Sequence, residues 1–520
     1  MNGRIWTGDE LTEDTTLTCD VCVVGSGAGG SVLGLELAKR GLDVVMLEEG
    51  GYHTRRDFDL NEAKAYSTFY QEGGNRATDD LAISIFQGRT VGGGTTINWC
   101  ACFRTPPEIL ERWRDVHGVK GLDTAALTPH WDWLEERLSI RDWPIEQANR
   151  NNRILWDGLG ALGYSRGTVK RNVRACAALG ACGVGCPTDA KQSMLVTLIP
   201  EAVEKGMRLY ANASVRHVST QGTRVTAVHA DVLDPATSRP TGKRLTVKAK
   251  VTAVCGGAIN SPGLLLRSQL TGRGNVGKRL FLHPVVISQA RFRERVEAYS
   301  GAPLTVYSRQ FIDRGPGKLG WLLEVPPLMP LQSAVALSGF GVEHQEHMAS
   351  LPHANALISI CLDGVQPGDE GGSVALRDAR EYTRFKIRYP LRDFHWEGFR
   401  EALKVSARIQ FAAGAEQVMS PHSRPVVMRG EKDIALLDRA PYSPLECSVV
   451  SAHQMGGCAM GGSPETSVVD STLRYWDLDN LFVVDGSVFP TALGVNPMET
   501  ILGVAHWGSQ HVAAAVGRSA

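Results

Sequence analysis

The stretch from Asp20 to Glu48 constrains this chain more than any other. Asp20-Val21-Cys22-Val23-Val24 is a short, nearly continuous apolar run, as a buried parallel strand requires. It leads directly into Gly25-Ser26-Gly27-Ala28-Gly29-Gly30, which satisfies G-x-G-x-x-G. Ser31 to Arg40 then carries Val32, Leu33, Leu35 and Ala38 on one helical repeat, with Gly41 placed as its C-terminal cap. Val44-Val45-Met46-Leu47 reads as a second strand ending at Glu48, 23 residues after Gly25. Together these are the parts of a dinucleotide-binding βαβ unit. Gly25 permits the tight turn, Gly27 with Ala28 brings backbone against a pyrophosphate, and Gly30 lets helix and strand pack closely. The helix N-terminus supplies free N–H groups, and Glu48 can accept from ribose hydroxyls. An acid at that position disfavours a 2′-phosphate, hence NADP, without separating NAD from FAD.

The second glycine cluster separates them. Gly88-Arg89-Thr90-Val91-Gly92-Gly93-Gly94-Thr95-Thr96-Ile97-Asn98 offers backbone amides over a length that a flavin needs and a nicotinamide does not. Arg89, Gly92, Gly93, Thr95 and Asn98 are therefore expected at the cofactor. Two more strand–glycine passages follow: Val251 to Gly257, opening a helix through Leu264, Leu265 and Leu266, and Leu481 to Gly486, followed by a helix from Met498 to Val516. Spread along the chain, they predict one nucleotide-binding domain built from separated segments. The expected division is 1–115, 176–285 and 441–520 for that domain, 116–175 for a helical part of the substrate region, and 286–440 for an inserted substrate domain with an antiparallel sheet. The fold class is α/β, a Rossmann-type domain with an α+β insertion.

Composition narrows the function. Lys+Arg 55 against Asp+Glu 55 in 520 residues leaves no charge excess to attract nucleic acid or an anionic membrane. No apolar run is long enough to span a bilayer, and the polar first twenty residues predict no signal peptide. Eleven cysteines in such a chain favour reduced thiols and a cytoplasmic setting. Cys176, Cys182 and Cys186, spaced C-x₅-C-x₃-C before Pro187 in a glycine-rich loop, could ligate a three-iron (3Fe-4S) cluster. Plain reduced thiols or a disulfide are the alternatives. His344, His347 and His353 read as a solvated loop, His506 as helix packing, and Cys458 as a small buried residue.

Along nearly its whole length the chain resembles the glucose–methanol–choline (GMC) family of FAD oxidoreductases. The motifs are Gly25–Gly30 with Glu48, GRTVGGGTTIN, GAINSPGLLLRS from Gly257, NVGKRLFLHP from Asn275, HQMGGCAMG from His453, and VVDGSVFPTALGVNPMETI. Within the family these look most like long-chain alcohol oxidases and cholesterol oxidases, while ACAALGACGVGCP resembles a cysteine loop of iron–sulfur sugar dehydrogenases. The resemblance implies oxidation of an alcohol by hydride transfer to flavin N5, with His453 as general base and Asn496 orienting the hydroxyl. It adds Val215, Gly256, Asp485, Gly486, Asn496, Pro497 and Met498 to the expected cofactor contacts. Ile97 stands where members with covalent flavin carry histidine, which implies non-covalent FAD. Ser268 is followed by Gln269 where the family signature ends in Ser-Gly. The expected substrate is a small-molecule alcohol of hydrophobic, fatty or sterol-like character, with Leu322–Leu331 offered as pocket lining. Dioxygen or another acceptor would reoxidise the flavin. A sugar or polyol dehydrogenase using the cluster, a non-redox relative and an idle flavoprotein remain alternatives.

Overall fold

The structure, a computed structural model, describes residues 3–377 and 385–518. Its first sheet has the spatial order Arg4–Trp6, Arg208–Tyr210, Val44–Leu47, Thr15–Val24, Pro240–Val254, Arg224–Leu233, Ala213–Gln221, with Leu481–Val483 also paired to Pro240–Val254. Arg4–Trp6, Arg208–Tyr210, Val44–Leu47, Thr15–Val24, the end of Pro240–Val254 and Leu481–Val483 run parallel. The remaining two strands add an antiparallel meander. Val21 to Val24 register with Val44 to Leu47, and Val44 to Leu47 are at most 1% exposed, as expected for strands covered on both faces. The helix Ala28–Lys39 lies on this sheet and packs on Met498–Arg518 and Leu198–Glu204. The three separated strand–glycine passages thus meet side by side in one sheet, as the sequence reading requires.

The second large sheet is antiparallel through Gln417–Met419, Val285–Arg291, Ala354–Cys361, Trp321–Glu324 and Val306–Phe311. Side chains on a strand alternate between faces. Leu323 and Leu357 belong to the core shared with the long helix Asp393–Ala412, against which Ser288 also hydrogen-bonds through Gln410. Leu322, Ile358 and Ile360 form a separate cluster with Val285 and Leu304 on the other face. Glu324, two residues from Leu322 and in register with Ile358, therefore shares that second face. His344 and His347, read as loop residues, lie instead on the helix Val342–Ala349. No helix among the described residues is long and apolar enough to cross a membrane.

The Gln269 departure has a local consequence. The helix Gly257–Arg267 is capped by Ser268, and Gln269 follows in the left-handed region at φ +61°. Glycine adopts that conformation without steric penalty, whereas an L side chain is strained there. Gln269→Gly should therefore raise stability by about 1 kcal/mol, read as a shift of the thermal or denaturant midpoint.

Candidate functional site

A cavity of about 1020 Å³ runs from the ends of the parallel strands to the second face of the antiparallel sheet. At its first end the turn Gly25–Gly27 leads into a helix whose N-cap, Gly27, makes no side-chain capping bond. First-turn N–H groups are thus free for an anionic ligand. Gly27 has an ordinary φ of −67°, and a Cβ there would find no protein atom nearer than Gly93 Cα at 4.0 Å. Protein packing does not demand this glycine; open space for a ligand does. Gly94 likewise has nothing within 4 Å of its would-be Cβ. These glycine-lined walls fit the flat, extended body of FAD. Gly27→Ala should fold with an almost unchanged melting temperature in the FAD-free protein yet bind FAD at least ~10-fold more weakly by titration. Gly30→Ala should instead destabilise the fold by about 1–3 kcal/mol, because its Cβ would fall 1.9 Å from the Gly25 carbonyl oxygen.

Glu48 lines the cavity, and both its carboxylate oxygens are engaged. One accepts from Ser26 N and Oγ at 2.9 and 2.7 Å, the other from Gly50 N at 2.8 Å. It clamps the glycine turn to the second strand, and desolvation pushes its carboxyl above the usual range. Asp485 plays a similar part, accepting from Gly257 N and Ser487 N and so joining two other segments of the domain. Gly25, Ala28, Gly93, Thr95, Asn98, Val215, Gly256, Asp485, Gly486, Pro497 and Met498 also border the cavity. Gly30, Arg89 and Gly92 do not. Gly30 packs beneath Gly25, Arg89 pairs with Glu49 at 3.1 Å, and Gly92 N donates to Ser26 Oγ. Their placement is structural, one step behind the wall.

At the other end His453, Asn496 and Glu324 converge. Asn496 Nδ2 lies 3.2 Å from Glu324 Oε2 and 3.4 Å from His453 Nε2. Glu324 is fully buried, and its Oε1, like Asn496 Oδ1, has no protein partner. Unpaired buried polar atoms are costly unless a ligand satisfies them. Desolvation pushes the Glu324 carboxyl up to about 8 and the His453 imidazole down to about 4. The same cavity is lined by Val285, Ile287, Leu304, Ile358 and Ile360, and by Pro327, Leu328 and Leu331 from the predicted apolar segment.

Behind His453 lies His283, with Nδ1 atoms 3.3 Å apart. His283 Nε2 is the acceptor for Leu493 N and Gly494 N, at 3.2 and 2.9 Å. A nitrogen that accepts two N–H groups carries no proton, so the His283 proton sits on Nδ1. Desolvation, with His453 adding to it, holds this imidazole neutral, well below its usual range. The backbone here is strained, with His283 at φ +44°. Asp363 holds it, accepting from Leu282 N at 2.9 Å, His283 N at 3.1 Å and the Tyr389 hydroxyl.

Sequence reasoning missed Glu324, His283 and Asp363. The signal for Glu324 was a lone acid in the apolar run Trp321–Val325; His283 lay within a quoted motif whose chemistry was not read. The cysteine-cluster expectation finds no support among the described residues. Cys176 Sγ accepts from Ala178 N, Cys186 Sγ meets Thr188 Oγ1, and Cys182 Sγ turns to Arg171. Each sulfur has a separate partner, and no group of three or more metal-ligating side chains forms among the described residues. His506 stacks on Trp133 and Cys458 is fully buried, as expected for packing residues.

Known proteins share this architecture. A long-chain-alcohol oxidase of Arabidopsis thaliana (FAO4A) is 31% identical over 514 residues, covering 94% of this chain and 68% of the oxidase. A 2-methyl-1,2-propanediol dehydrogenase of Mycolicibacterium austroafricanum is 24% identical and covers 93% of each chain. The crystal structure of a pyridoxine 4-oxidase superposes with a TM-score of 0.71 at 20% identity, covering 95% of this chain and 99% of that one. The two GMC oxidoreductase family models match residues 66–285 and 367–505. With the glycine-lined cradle and the buried polar cluster on the same cavity, the chain belongs to the GMC oxidoreductase family, FAD enzymes acting on CH–OH groups.

Proposed function

We propose that this protein oxidises the hydroxyl of a hydrophobic, fatty or sterol-like alcohol to an aldehyde or ketone, using non-covalently bound FAD and dioxygen as acceptor. The observation that carries this reading is the convergence of Glu324, Asn496 and His453 at an otherwise apolar cavity end. The long-chain-alcohol oxidases among its relatives support the substrate class, and eleven free cysteines support a reducing, cytoplasmic setting. When bound, FAD supplies the hydride acceptor at its N5.

The sequence reading gave the hydroxyl proton to His453. The hydrogen bonds support another division of labour. Because His283 carries its proton on Nδ1, His453 Nδ1 must accept it, leaving the His453 proton on Nε2 facing the cavity; this tautomer requires the Asn496 amide to be turned so that its oxygen, not its NH2, faces that nitrogen. A neutral imidazole in that tautomer donates to the substrate oxygen and does not take its proton. Glu324 is the remaining group able to accept it, and Asn496 lies between the two to hold the oxygen in line for hydride loss.

Anaerobic mixing with an alcohol panel tests the substrate class: fatty and sterol alcohols should bleach the flavin absorbance, and air should restore it with peroxide release. Bleaching by sugars alone would overturn the hydrophobic assignment. Acid or heat should release FAD and leave a colourless polypeptide, since Ile97 offers no atom for a covalent link; flavin retained on the denatured chain would contradict this.

A further inference from the structure

A second cavity, of about 780 Å³, opens where the strand Lys278–Phe281 meets the antiparallel strands Gly372–Leu376 and Phe385–Arg388. It shares no lining residue with the first. Four cations border it: Lys278, Arg279, Arg388 and Arg392. A backbone irregularity places Arg279 there. Lys278 pairs with Ser373 and Leu280 with Gly372 across a register shift, so Arg279 is the extra residue of a bulge, with φ +59°. A bulge re-aims a side chain, and an L residue in the left-handed region is strained. The half-buried guanidinium it delivers is incompletely satisfied. Its Nη2 donates to the Pro490 carbonyl at 2.8 Å, it lies 5.6 Å from the Phe281 ring centre, and its buried Nε has no partner. None of the four cations is paired with a carboxylate among the described residues. A guanidinium keeps its charge, so partial burial without a counter-charge favours an anion beside it. Two acids on the same wall are engaged elsewhere. Asp79 pairs with Arg377 and Lys386 at 3.9 and 3.8 Å, and Asp80 accepts from Thr78 Oγ1 and Ala82 N at 2.7 and 3.1 Å. Glu370, exposed, is the remaining acid on the wall.

We propose that this second cavity binds a small organic dianion, a phosphate ester or a dicarboxylate, with Arg279 as its central contact and Lys278, Arg388 and Arg392 around it. A guanidinium can donate to two oxygens of such a group at once, which a lone ammonium does not match in geometry. Ile387 and Val468 give the wall an apolar part for a short carbon skeleton. The site also lies against two supports of His283. Arg279 holds the Pro490 carbonyl, at the start of the turn whose Leu493 and Gly494 amides donate to His283 Nε2. Tyr389, on the cavity wall, donates to Asp363, which accepts from Leu282 N and His283 N. A ligand seated on Arg279 therefore bears on the backbone that fixes the histidine pair.

The test needs no turnover and stands apart from the substrate reading. The full-length protein is loaded with FAD, so that the cofactor's own phosphates fill the glycine-lined cradle, and titrated calorimetrically with glycerol 2-phosphate and with succinate. Salt at about 0.1 M screens general surface attraction. At least one of the two should bind at a single site with Kd below ~1 mM, and the tighter binder identifies the class. Arg279→Gln should weaken that binding at least ~10-fold. Should that variant fail to fold, Arg388→Ala, at an exposed side chain, should weaken it at least ~3-fold. Glu370→Gln should tighten it about twofold, by removing a like charge. Lys243→Ala, the same loss of charge at an exposed position on the nucleotide-domain sheet, should leave it unchanged. Absence of binding by both ligands would overturn the proposal, as would wild-type affinity in Arg279→Gln or, where that variant does not fold, in Arg388→Ala. Weaker binding in Glu370→Gln would also overturn it, since the site would then be reading a positive group, and so would equal weakening in Lys243→Ala.

Discussion

Glu324→Gln is expected to slow flavin reduction by alcohol ~10²–10⁴-fold while FAD stays bound. Glutamine keeps the size and one oxygen of the side chain but cannot accept the hydroxyl proton. The pH dependence gives a second reading of the same assignment. Burial raises the Glu324 carboxyl to about 8, so the proton-accepting form is the minor one at neutral pH. The wild-type reduction rate should rise up to tenfold per pH unit below about 8 and level off above it. If His453, held down to about 4, were the base, the rate would be flat from pH 6 upward. A flat profile together with a fully active Glu324→Gln would return the base role to His453.

His453→Ala should slow reduction ~10²–10³-fold, the usual loss for one donor aimed at a reacting oxygen. His453→Gln should recover most of that loss, because its amide N–H can donate from nearly the same place yet cannot act as a base. Single-wavelength stopped-flow under anaerobic conditions measures both. Equal, severe loss in Ala and Gln would show that proton acceptance by the imidazole is what matters. Comparable rates in His453→Gln and wild type would leave donation as its contribution.

The nucleotide half of this molecule was legible in the sequence because its constraints are local. A tight turn, an unobstructed backbone and a buried strand each leave a residue type at a fixed spacing, and Gly25, Gly27 and Val44–Leu47 state them directly. The substrate half was legible only as an apolar sheet. The proposed role of Glu324 follows from the face it occupies and from Asn496, 172 residues away, which reaches it. The proposed role of His283 follows from two backbone amides of the Leu493–Gly494 turn, which fix its tautomer. The sequence marks each position, as a lone acid in an apolar run and as a histidine within a motif, but not the distant partner that sets its surroundings. The cysteine loop shows the limit of spacing: it suits a cluster, while Cys176, Cys182 and Cys186 meet Ala178 N, Arg171 and Thr188 in the fold. Spacing sets how close the Cα atoms can come, whereas the packed surroundings decide where each sulfur points.

The alternation of the antiparallel sheet separates two properties that often trade against one another. Its strands present Leu323 and Leu357 to the helix-packed core and Ile287, Ile358 and Ile360 to the cavity. Substitutions confined to the second set reshape the cavity while leaving the first set, and the stability it provides, in place. Cavity shape in this scaffold is therefore open to drift or to engineering at alternate positions along the same strands, whereas insertion of a single residue that shifts the register would exchange the two sets.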